Sequence, residues 1–157
     1  MIKNKLYSIN ELEVICKKKR KKNYSIGLTN GCFDLLHPGH LHLIKNSSLM
    51  CNFLIVAVNS DQSIKSIKGE NRPIQSEEIR INNLSKIPNI DAIVLFEDDT
   101  PINIIPKIMP NIIFKGSDYK EKDVVGYDFV RKNSGKVVLI DLLEGFSTTN
   151  IINKSSI

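Results

Sequence analysis

Residues 31–40 of the chain read GCFDLLHPGH and lie between two segments of different hydrophobic period. Upstream, residues 24–29 (YSIGLT) read as a short strand, and downstream apolar side chains recur at helical spacing over residues 39–50. Pro38 suits the first position of a helix, where its missing N–H is no loss. The stretch therefore predicts a strand, a loop and a helix whose free N–H groups and dipole would hold a phosphate.

Two histidines in this stretch are candidates for contact with that phosphate. His37 and His40 are three residues apart, so their ring N–H groups can reach the same point beside the first helical turn. Gly39 has no side chain to keep an anion away from the backbone. His42 points to roughly the other side of the helix, and we interpret it as a surface or packing residue. Cys32 beside His37 suggests a thiol nucleophile, but no third orienting residue can be named, and phosphate binding explains the loop better.

Length and composition predict one compact domain that needs no disulfide. The 157 residues are 41% hydrophobic, enough for a substantial core. We expect a single domain over residues 1–157, in which residues 1–22 form an N-terminal helix with a basic end. The three cysteines form no C-x-x-C pair and no secretory signal is evident, which favours a reducing, cytoplasmic location. The longest apolar runs, such as residues 53–58, are too short to span a membrane.

The positive charge of the chain is concentrated in one run. The formal net charge is +5, but six of the 22 basic residues are residues 17–22, and without them 16 basic residues face 17 acidic ones. The run follows a predicted helix opened by Ser8 and Glu11, and cations at a helix C-terminus complement its dipole. No aromatic residues are interleaved with the run. We therefore interpret it as a solvated helix end rather than a nucleic-acid patch.

Strands and helices alternate along the chain. Strands are predicted near residues 24–29, 53–58, 91–96, 111–115 and 136–140, and helices near 8–18, 39–50, 76–86, 101–108, 125–133 and 148–154. This alternation predicts an α/β fold, a doubly wound parallel sheet of about five strands of the Rossmann-like type. In such sheets ligands bind beyond the carboxyl ends of the strands. Neither G-x-x-x-x-G-K-[ST] nor G-x-G-x-x-G occurs, which argues against P-loop and classical dinucleotide-binding sites.

Four segments in order resemble one family. GCFDLLHPGH resembles the HxGH motif of the cytidylyltransferase-like nucleotidyltransferases, and KGENRP (68–73), KGSDY (115–119) and EGFSTT (144–149) resemble its later motifs. NSD (59–61) and FEDDTP (96–101) are most similar to the D-glycero-β-D-manno-heptose 1-phosphate adenylyltransferase branch. The resemblance extends over most of the chain and implies the nucleotidyltransferase version of the α/β fold predicted above.

Three departures qualify the resemblance. Leu142 stands where the glycerol-phosphate cytidylyltransferase branch typically has an arginine, which argues against that branch. Ser117 stands where the heptose branch often has glycine, which affects local loop conformation. Many heptose enzymes are fused to a sugar kinase, and none is seen in this sequence, so we expect a separate kinase to supply the sugar 1-phosphate.

The resemblance implies attack by a sugar 1-phosphate on the α-phosphorus of ATP, giving ADP-heptose for lipopolysaccharide and pyrophosphate. A phosphate monoester has a second pKa of about 6, so the nucleophile is dianionic near neutral pH and needs no general base. Catalysis of this kind is chiefly positioning and charge stabilisation. The histidines are then best interpreted as hydrogen-bond donors, with Mg²⁺ expected to neutralise the triphosphate.

Individual residues take roles from charge, place and resemblance. Catalytic contacts are expected from His37, His40 and Lys68. Nucleotide contacts are expected from Gly31, Cys32, Phe33, Lys115, Gly116, Asp118, Ser147, Thr148 and Thr149. Acceptor contacts are expected from Asp34, Asp61, Arg72 and Arg80. We place Lys68 in a loop marked by Gly and Pro, Arg80 inside a helix, and Ser147 to Thr149 before a short helix that their hydroxyls could also cap. No metal ligand is assigned.

Two other functions remain open from sequence alone. The chain could be a cytidylyltransferase acting on glycerol 3-phosphate or another phosphorylated alcohol, because base recognition can rest on backbone groups. It could also be a non-catalytic nucleotide- or nucleic-acid-binding protein, although the intact histidines argue against lost catalysis. We expect ATP and a sugar 1-phosphate as partners, without nucleic acid or membrane, and leave open whether the chain forms a homodimer.

Overall fold

The computed structural model describes residues 5–143, and its centre is one five-stranded parallel sheet. The strands are β1 (Ile26–Gly31), β2 (Phe53–Asn59), β3 (Ala92–Phe96), β4 (Ile112–Gly116) and β5 (Lys136–Ile140). The helices are α1 (Ile9–Lys21), α2 (Pro38–Ser48), α3 (Asp61–Lys68), α4 (Glu77–Ser85), α5 (Ile105–Ile108) and α6 (Tyr127–Lys132), with 3-10 turns at Pro101–Asn103 and Glu121–Asp123. The predicted doubly wound α/β fold is confirmed.

Both faces of the sheet are covered, as the continuous apolar runs of its strands require. Every residue of β2 is buried. Ile55 and its neighbours on one face pack with buried residues of α1, α5 and α6, and Val56 and its neighbours on the other face pack with α2 and α4. Successive side chains of β2 point to opposite faces of the sheet, so the core consists of two layers with the sheet between them.

The strand order β3-β2-β1-β4-β5 places the switch point between β1 and β4. From β1 the chain moves outward through β2 and β3, and β4 then pairs with the other edge of β1. Only Gly27 and Leu28 of β1 have register partners in β4, whereas all six residues of β1 pair with β2. The carboxyl ends of β1 and β4 therefore separate, and a crevice opens where α/β sheets bind ligands.

The helices of the structure differ from the prediction in two places. Residues 101–108 form a 3-10 turn followed by the one-turn helix α5, because Pro106 lacks an N–H and its ring would clash with the carbonyl four residues earlier. Helix α3 was not predicted; it starts at the cap residue Ser60 and ends at Gly69. The predicted helix over 148–154 lies outside the described residues.

The basic run at the end of α1 is only partly a solvated helix end. Lys19 lies over the rings of Tyr24 and Phe53, and Arg20 donates to the carbonyl of Ile108 at 2.8 Å. The run lies near the amino-terminal ends of the strands, opposite the crevice. Within residues 5–143 no helix is long and apolar enough to cross a membrane.

Candidate active site

The loop from β1 to α2 holds an unusual backbone conformation just before the histidines. Phe33 and Leu35 have φ angles of 50° and 57°, in the left-handed region that bulky residues rarely adopt. Such strain persists where the surrounding structure fixes it, and it is concentrated at functional sites. Phe33 is buried, and its ring packs against His40 with centroids 5.3 Å apart. The loop is therefore anchored by packing at the point where it delivers the chain to α2.

The two histidines cap the first turn of α2. The backbone N–H of Gly39 donates to Nδ1 of His37 at 3.1 Å, and the N–H of His37 donates to Nδ1 of His40 at 3.4 Å. A backbone N–H can only donate, so each Nδ1 accepts through its lone pair. When neutral, both rings therefore carry their proton on Nε2. The cap fixes the tautomer that leaves Nε2–H as a donor.

The environment of the pair keeps both rings neutral. The rings stack with centroids 3.8 Å apart and planes 22° apart. Burial lowers the pKa of His37. Burial first, and then the positive charges of His37 and Lys68, lower the pKa of His40 to about 4. Near pH 7 the histidines thus form two neutral donors at a helix N-terminus, which is an arrangement suited to an anion.

Lys68 does not lie in a loop, as the sequence analysis expected, but is the last residue of α3. Gly69 follows with φ of 100°, a conformation that glycine adopts without strain, and ends the helix. The Lys68 side chain is exposed, yet its charge contributes to the lowered pKa of His40. Lys68 therefore lies within electrostatic range of His40.

Lys115 crosses the crevice between β4 and β1. Its Nζ donates to the carbonyl of Asn30 at 2.9 Å and lies 5.1 Å from the centroid of the Tyr119 ring. Burial lowers the pKa of Lys115 to about 8, although Cys32 and Asp118 act in the opposite direction. The ammonium group is therefore held at the base of the crevice and is only moderately basic.

Gly116 and Asp118 follow Lys115 on the same side of the crevice. A Cβ at Gly116 would lie 2.5 Å from Cδ2 of Leu142 and 2.8 Å from Oδ1 of Asp118, so only glycine fits there without a shift. Asp118 itself is exposed. On the β1 side, Gly31 and Cys32 are half-buried at the start of the loop. The predicted nucleotide residues of the described chain thus lie on both sides of the crevice.

Asp34 and Arg72 tie the loop after β1 to the loop between α3 and α4. The Asp34 carboxylate is 1% exposed and accepts the N–H groups of Ile74 and Gln75 at 2.7 and 2.9 Å. Nε of Arg72 lies 3.4 Å from the same carboxylate. Nη2 of Arg72 is buried and has no hydrogen-bond partner within residues 5–143. Asp34 therefore holds backbone in place, while Arg72 has one buried N–H donor without a partner among the described residues.

Arg80 and Asp61 form a second buried contact. Arg80 is 0% exposed, and its Nη2 donates to Oδ1 of Asp61 at 2.8 Å. The Asp61 side chain is 34% exposed, and its backbone N–H donates to Oε1 of Glu77. The sequence analysis singled out neither Glu77 nor the carbonyl of Asn30, which accepts from Lys115. Both positions are recognisable only from the folded chain.

The remaining predicted site residues, Ser147, Thr148 and Thr149, lie outside the described residues. Within residues 5–143 no group of three or more His, Cys, Asp or Glu side chains could hold a metal ion.

Two surface grooves are present. One, of about 570 Å³, lies beside α4 and β3, and the other, of about 550 Å³, lies between α2 and β5. Neither groove is lined by a predicted site residue, so the motif residues, not cavity size, define the candidate site.

Known proteins are similar to this chain over most of its length. The model of the cytidylyltransferase-like family matches residues 28–154. The bifunctional protein HldE of Nitrobacter winogradskyi is 46% identical over 87% of this chain, and that of Granulibacter bethesdensis is 46% identical over 95%. The aligned part is 28% and 31% of those relatives, so the chain spans about a third of their length.

Solved structures share the fold. The lipopolysaccharide core biosynthesis protein of Thermoplasma volcanium has a TM-score of 0.62 and 26% identity, with 76% of this chain and 97% of that chain covered. Pantoate-beta-alanine ligase of Francisella tularensis, solved with an ATP analogue and beta-alanine, also has a TM-score of 0.62, with 16% identity and coverage of 96% and 76%. At 16% identity, the similarity to pantoate-beta-alanine ligase is evidence for the fold alone.

Proposed function

This chain belongs to the cytidylyltransferase-like family, and on that premise we propose that it transfers AMP from ATP to a sugar 1-phosphate with release of pyrophosphate. The observation that carries the proposal is the pair His37 and His40, stacked at the start of α2 with both Nδ1 atoms accepting backbone N–H groups. Two Nε2–H donors at a helix N-terminus suit the α-phosphate and the charge that develops on it.

The chemistry needs donors more than it needs a base. The attacking phosphate monoester has a second pKa of about 6 and is already dianionic near neutral pH. The lowered pKa values of His37 and His40 keep the rings neutral there, so neither ring is poised as an acid. Each Nε2–H can stabilise negative charge in the transition state, at about 3 kcal/mol per donor by comparison with oxyanion holes.

Cations of the site have separate roles in this proposal. Lys68 acts next to His40 on the phosphates at the centre of the reaction, and Lys115 binds the nucleotide from the β4 side together with Gly116 and Asp118. The guanidinium of Arg72, whose side chain is 17% exposed, receives the acceptor phosphate in this proposal. Ser147, Thr148 and Thr149 complete the triphosphate site in this proposal. Asp61, the partly exposed carboxylate, faces the acceptor sugar.

Asp34 was also expected to touch the acceptor, and its surroundings favour another role. Its carboxylate is almost fully buried and accepts two backbone N–H groups of the loop that carries Arg72. We assign Asp34 to holding this loop, since a buried carboxylate so engaged contributes through the geometry of its neighbours.

The acceptor we favour is D-glycero-β-D-manno-heptose 1-phosphate. Support comes from NSD at 59–61, KGENRP at 68–73 and FEDDTP at 96–101, and from the relatives named HldE and the neighbour named for lipopolysaccharide core biosynthesis. A sugar kinase activity would supply the sugar 1-phosphate. Mg²⁺ would be held mainly by phosphate oxygens and would supply charge neutralisation, because the described residues offer no group of three ligands.

Pyrophosphate release tests the proposal directly. The protein is assayed with ATP, CTP, GTP and UTP, each paired with the heptose 1-phosphate, glycerol 3-phosphate and ethanolamine phosphate in the presence of Mg²⁺. We expect the fastest release with ATP and the heptose 1-phosphate. Faster turnover of CTP with glycerol 3-phosphate would keep the reaction class and reject the substrates. Absence of release with every pair would reject the enzyme and favour a nucleotide-binding protein.

A further inference from the structure

We propose that Arg80 is a positioning residue that holds the loops of the site in register without touching either substrate. The inference rests on the proposed function, and it replaces the role in acceptor binding that the sequence suggested for this arginine. Arg80 is 0% exposed in the middle of α4, so no ligand can reach its guanidinium in this arrangement of the loops.

The guanidinium contacts three separate parts of the chain through backbone carbonyls. Nη1 donates to the carbonyls of Cys32 and Asn59, both at 2.7 Å, and Nε donates to that of Gln75 at 3.1 Å. Cys32 begins the loop that leads to the histidines, Asn59 ends β2, and Gln75 ends the loop that carries Arg72. One side chain therefore joins the start of α2, the sheet and the proposed acceptor loop.

The pattern of these bonds explains why the residue is an arginine. Four N–H groups of the fork are used, by three carbonyls that point to one place and by the Asp61 carboxylate. A lysine has three donors on one nitrogen and cannot reach four acceptors spread around a plane. The buried charge is tolerated because Asp61 balances it and every contact is a hydrogen bond.

Asp34 provides an independent second link between the same two loops. It lies in the loop after β1 and accepts N–H groups of Ile74 and Gln75 in the loop after α3. Gln75 is thus held through its N–H by Asp34 and through its carbonyl by Arg80. The buried charges of Asp34 and Arg80 thus hold Gln75 from both sides, so the positions of the two loops are coupled.

Positioning predicts a particular kinetic result for Arg80→Lys. Misplacement of reacting groups by about 1 Å can cost about a hundredfold in rate. We expect kcat to fall by about thirtyfold or more, while KM for ATP and for the sugar 1-phosphate changes by less than about threefold, since the substituted side chain itself touches neither substrate. A rise in KM for the acceptor at unchanged kcat would place Arg80 in the binding site and overturn the proposal.

Leu84→Val is the matched control for helix stability. Leu84 is fully buried one turn further along α4, and its apolar side chain cannot form a hydrogen bond to the loops of the site. Its substitution weakens the same helix through packing alone, and we expect kcat within about twofold of the wild type at a temperature where both variants are folded. Should Arg80→Lys fail to fold, Arg80→Gln is measured with the same expectations. A similar loss of kcat in the Leu84 variant would overturn the proposal.

Cysteine labelling tests the same inference without any turnover. Cys32 is half-buried in the tethered loop, and Cys16 is fully buried in α1. Alkylation by iodoacetamide is followed at each cysteine by peptide mass spectrometry. In Arg80→Lys we expect Cys32 to react about tenfold faster and Cys16 at the wild-type rate, because only the loop is released. An unchanged Cys32 rate, or equal acceleration at both cysteines, would overturn the inference even if the proposed reaction is correct. The expected labelling in a protein that releases no pyrophosphate would instead reject the reaction alone.

Discussion

Nζ of Lys115 lies 2.9 Å from the carbonyl oxygen of Asn30, where it joins β4 to β1 beyond the last register pair of the two strands. The bond closes the base of the crevice with a side chain instead of a sheet hydrogen bond. The ammonium that makes it is thereby held, largely buried, at the proposed nucleotide site. Its pKa of about 8 makes its charge sensitive to pH in an accessible range.

Nucleotide affinity is expected to fall as the pH rises above about 8. The pKa of Lys115 is lowered, so the group is charged below about pH 8 and loses its proton above it. Titration calorimetry with ATP from pH 6.5 to 9.5 measures the effect. Lys115→Met should weaken binding about tenfold at pH 7 and flatten the profile, because a charge-assisted hydrogen bond is lost. The exposed neighbour Lys120, changed to Met, is the control, and a flat wild-type profile would contradict the assignment.

His37→Ala and His40→Ala are each expected to lower kcat by about two to three orders of magnitude, as loss of an oxyanion-type donor does. Because both rings cap α2, each variant should also lose about 1 kcal/mol of unfolding free energy, measured by urea denaturation. His42→Ala, on the same helix, should keep its turnover. Wild-type kcat in either cap variant would remove the histidines from the site.

The exposed lysines at the end of α1 are expected to be dispensable for catalysis. Exchange of Lys17, Lys18, Lys21 and Lys22 for Gln leaves Lys19 on its aromatic rings and Arg20 on the Ile108 carbonyl. The four lysines lie near the amino-terminal ends of the strands, away from the site. We expect kcat/KM within about threefold at 0.15 M salt, where charges beyond about 8 Å are screened. A fall of more than about tenfold would show that this surface handles substrate.

ATP is expected to exceed CTP as the donor. With Mg²⁺ and the heptose 1-phosphate, kcat/KM for ATP should be at least about tenfold higher, which corresponds to about 1.4 kcal/mol in transition-state binding. A purine offers more stacking area and a different hydrogen-bonding edge. Competition between the two nucleotides in one assay measures the ratio. A ratio near one, or one that favours CTP, would contradict the adenylyltransferase branch.

The ends of the five strands were predicted from the sequence to within about two residues. Buried parallel strands are recognisable because they consist of continuous apolar runs. The sequence also placed His37 and His40 together, since spacing of three within one turn leaves little choice. The short helix α3 was not predicted, because its eight residues contain only two isoleucines and therefore show too little hydrophobic periodicity. Arg80 was correctly placed in a helix, but its burial was not foreseen, because the burial depends on three carbonyls from distant parts of the chain. Histidine tautomers likewise follow from bonds that only the folded loop creates.

Because β1 and β4 separate, the proposed acceptor-binding and nucleotide-binding residues lie largely in different parts of the chain. The proposed acceptor loop lies between β1 and β3. Apart from residues 31–33 beside the histidines, the proposed nucleotide contacts of the described chain come from β4 and its following loop, and Lys115 crosses between the two parts. A lineage could therefore exchange one substrate by rewriting residues 69–76 while the nucleotide half stays intact. The same division offers a route for engineering, in which acceptor loops are grafted onto an unchanged nucleotide-binding frame.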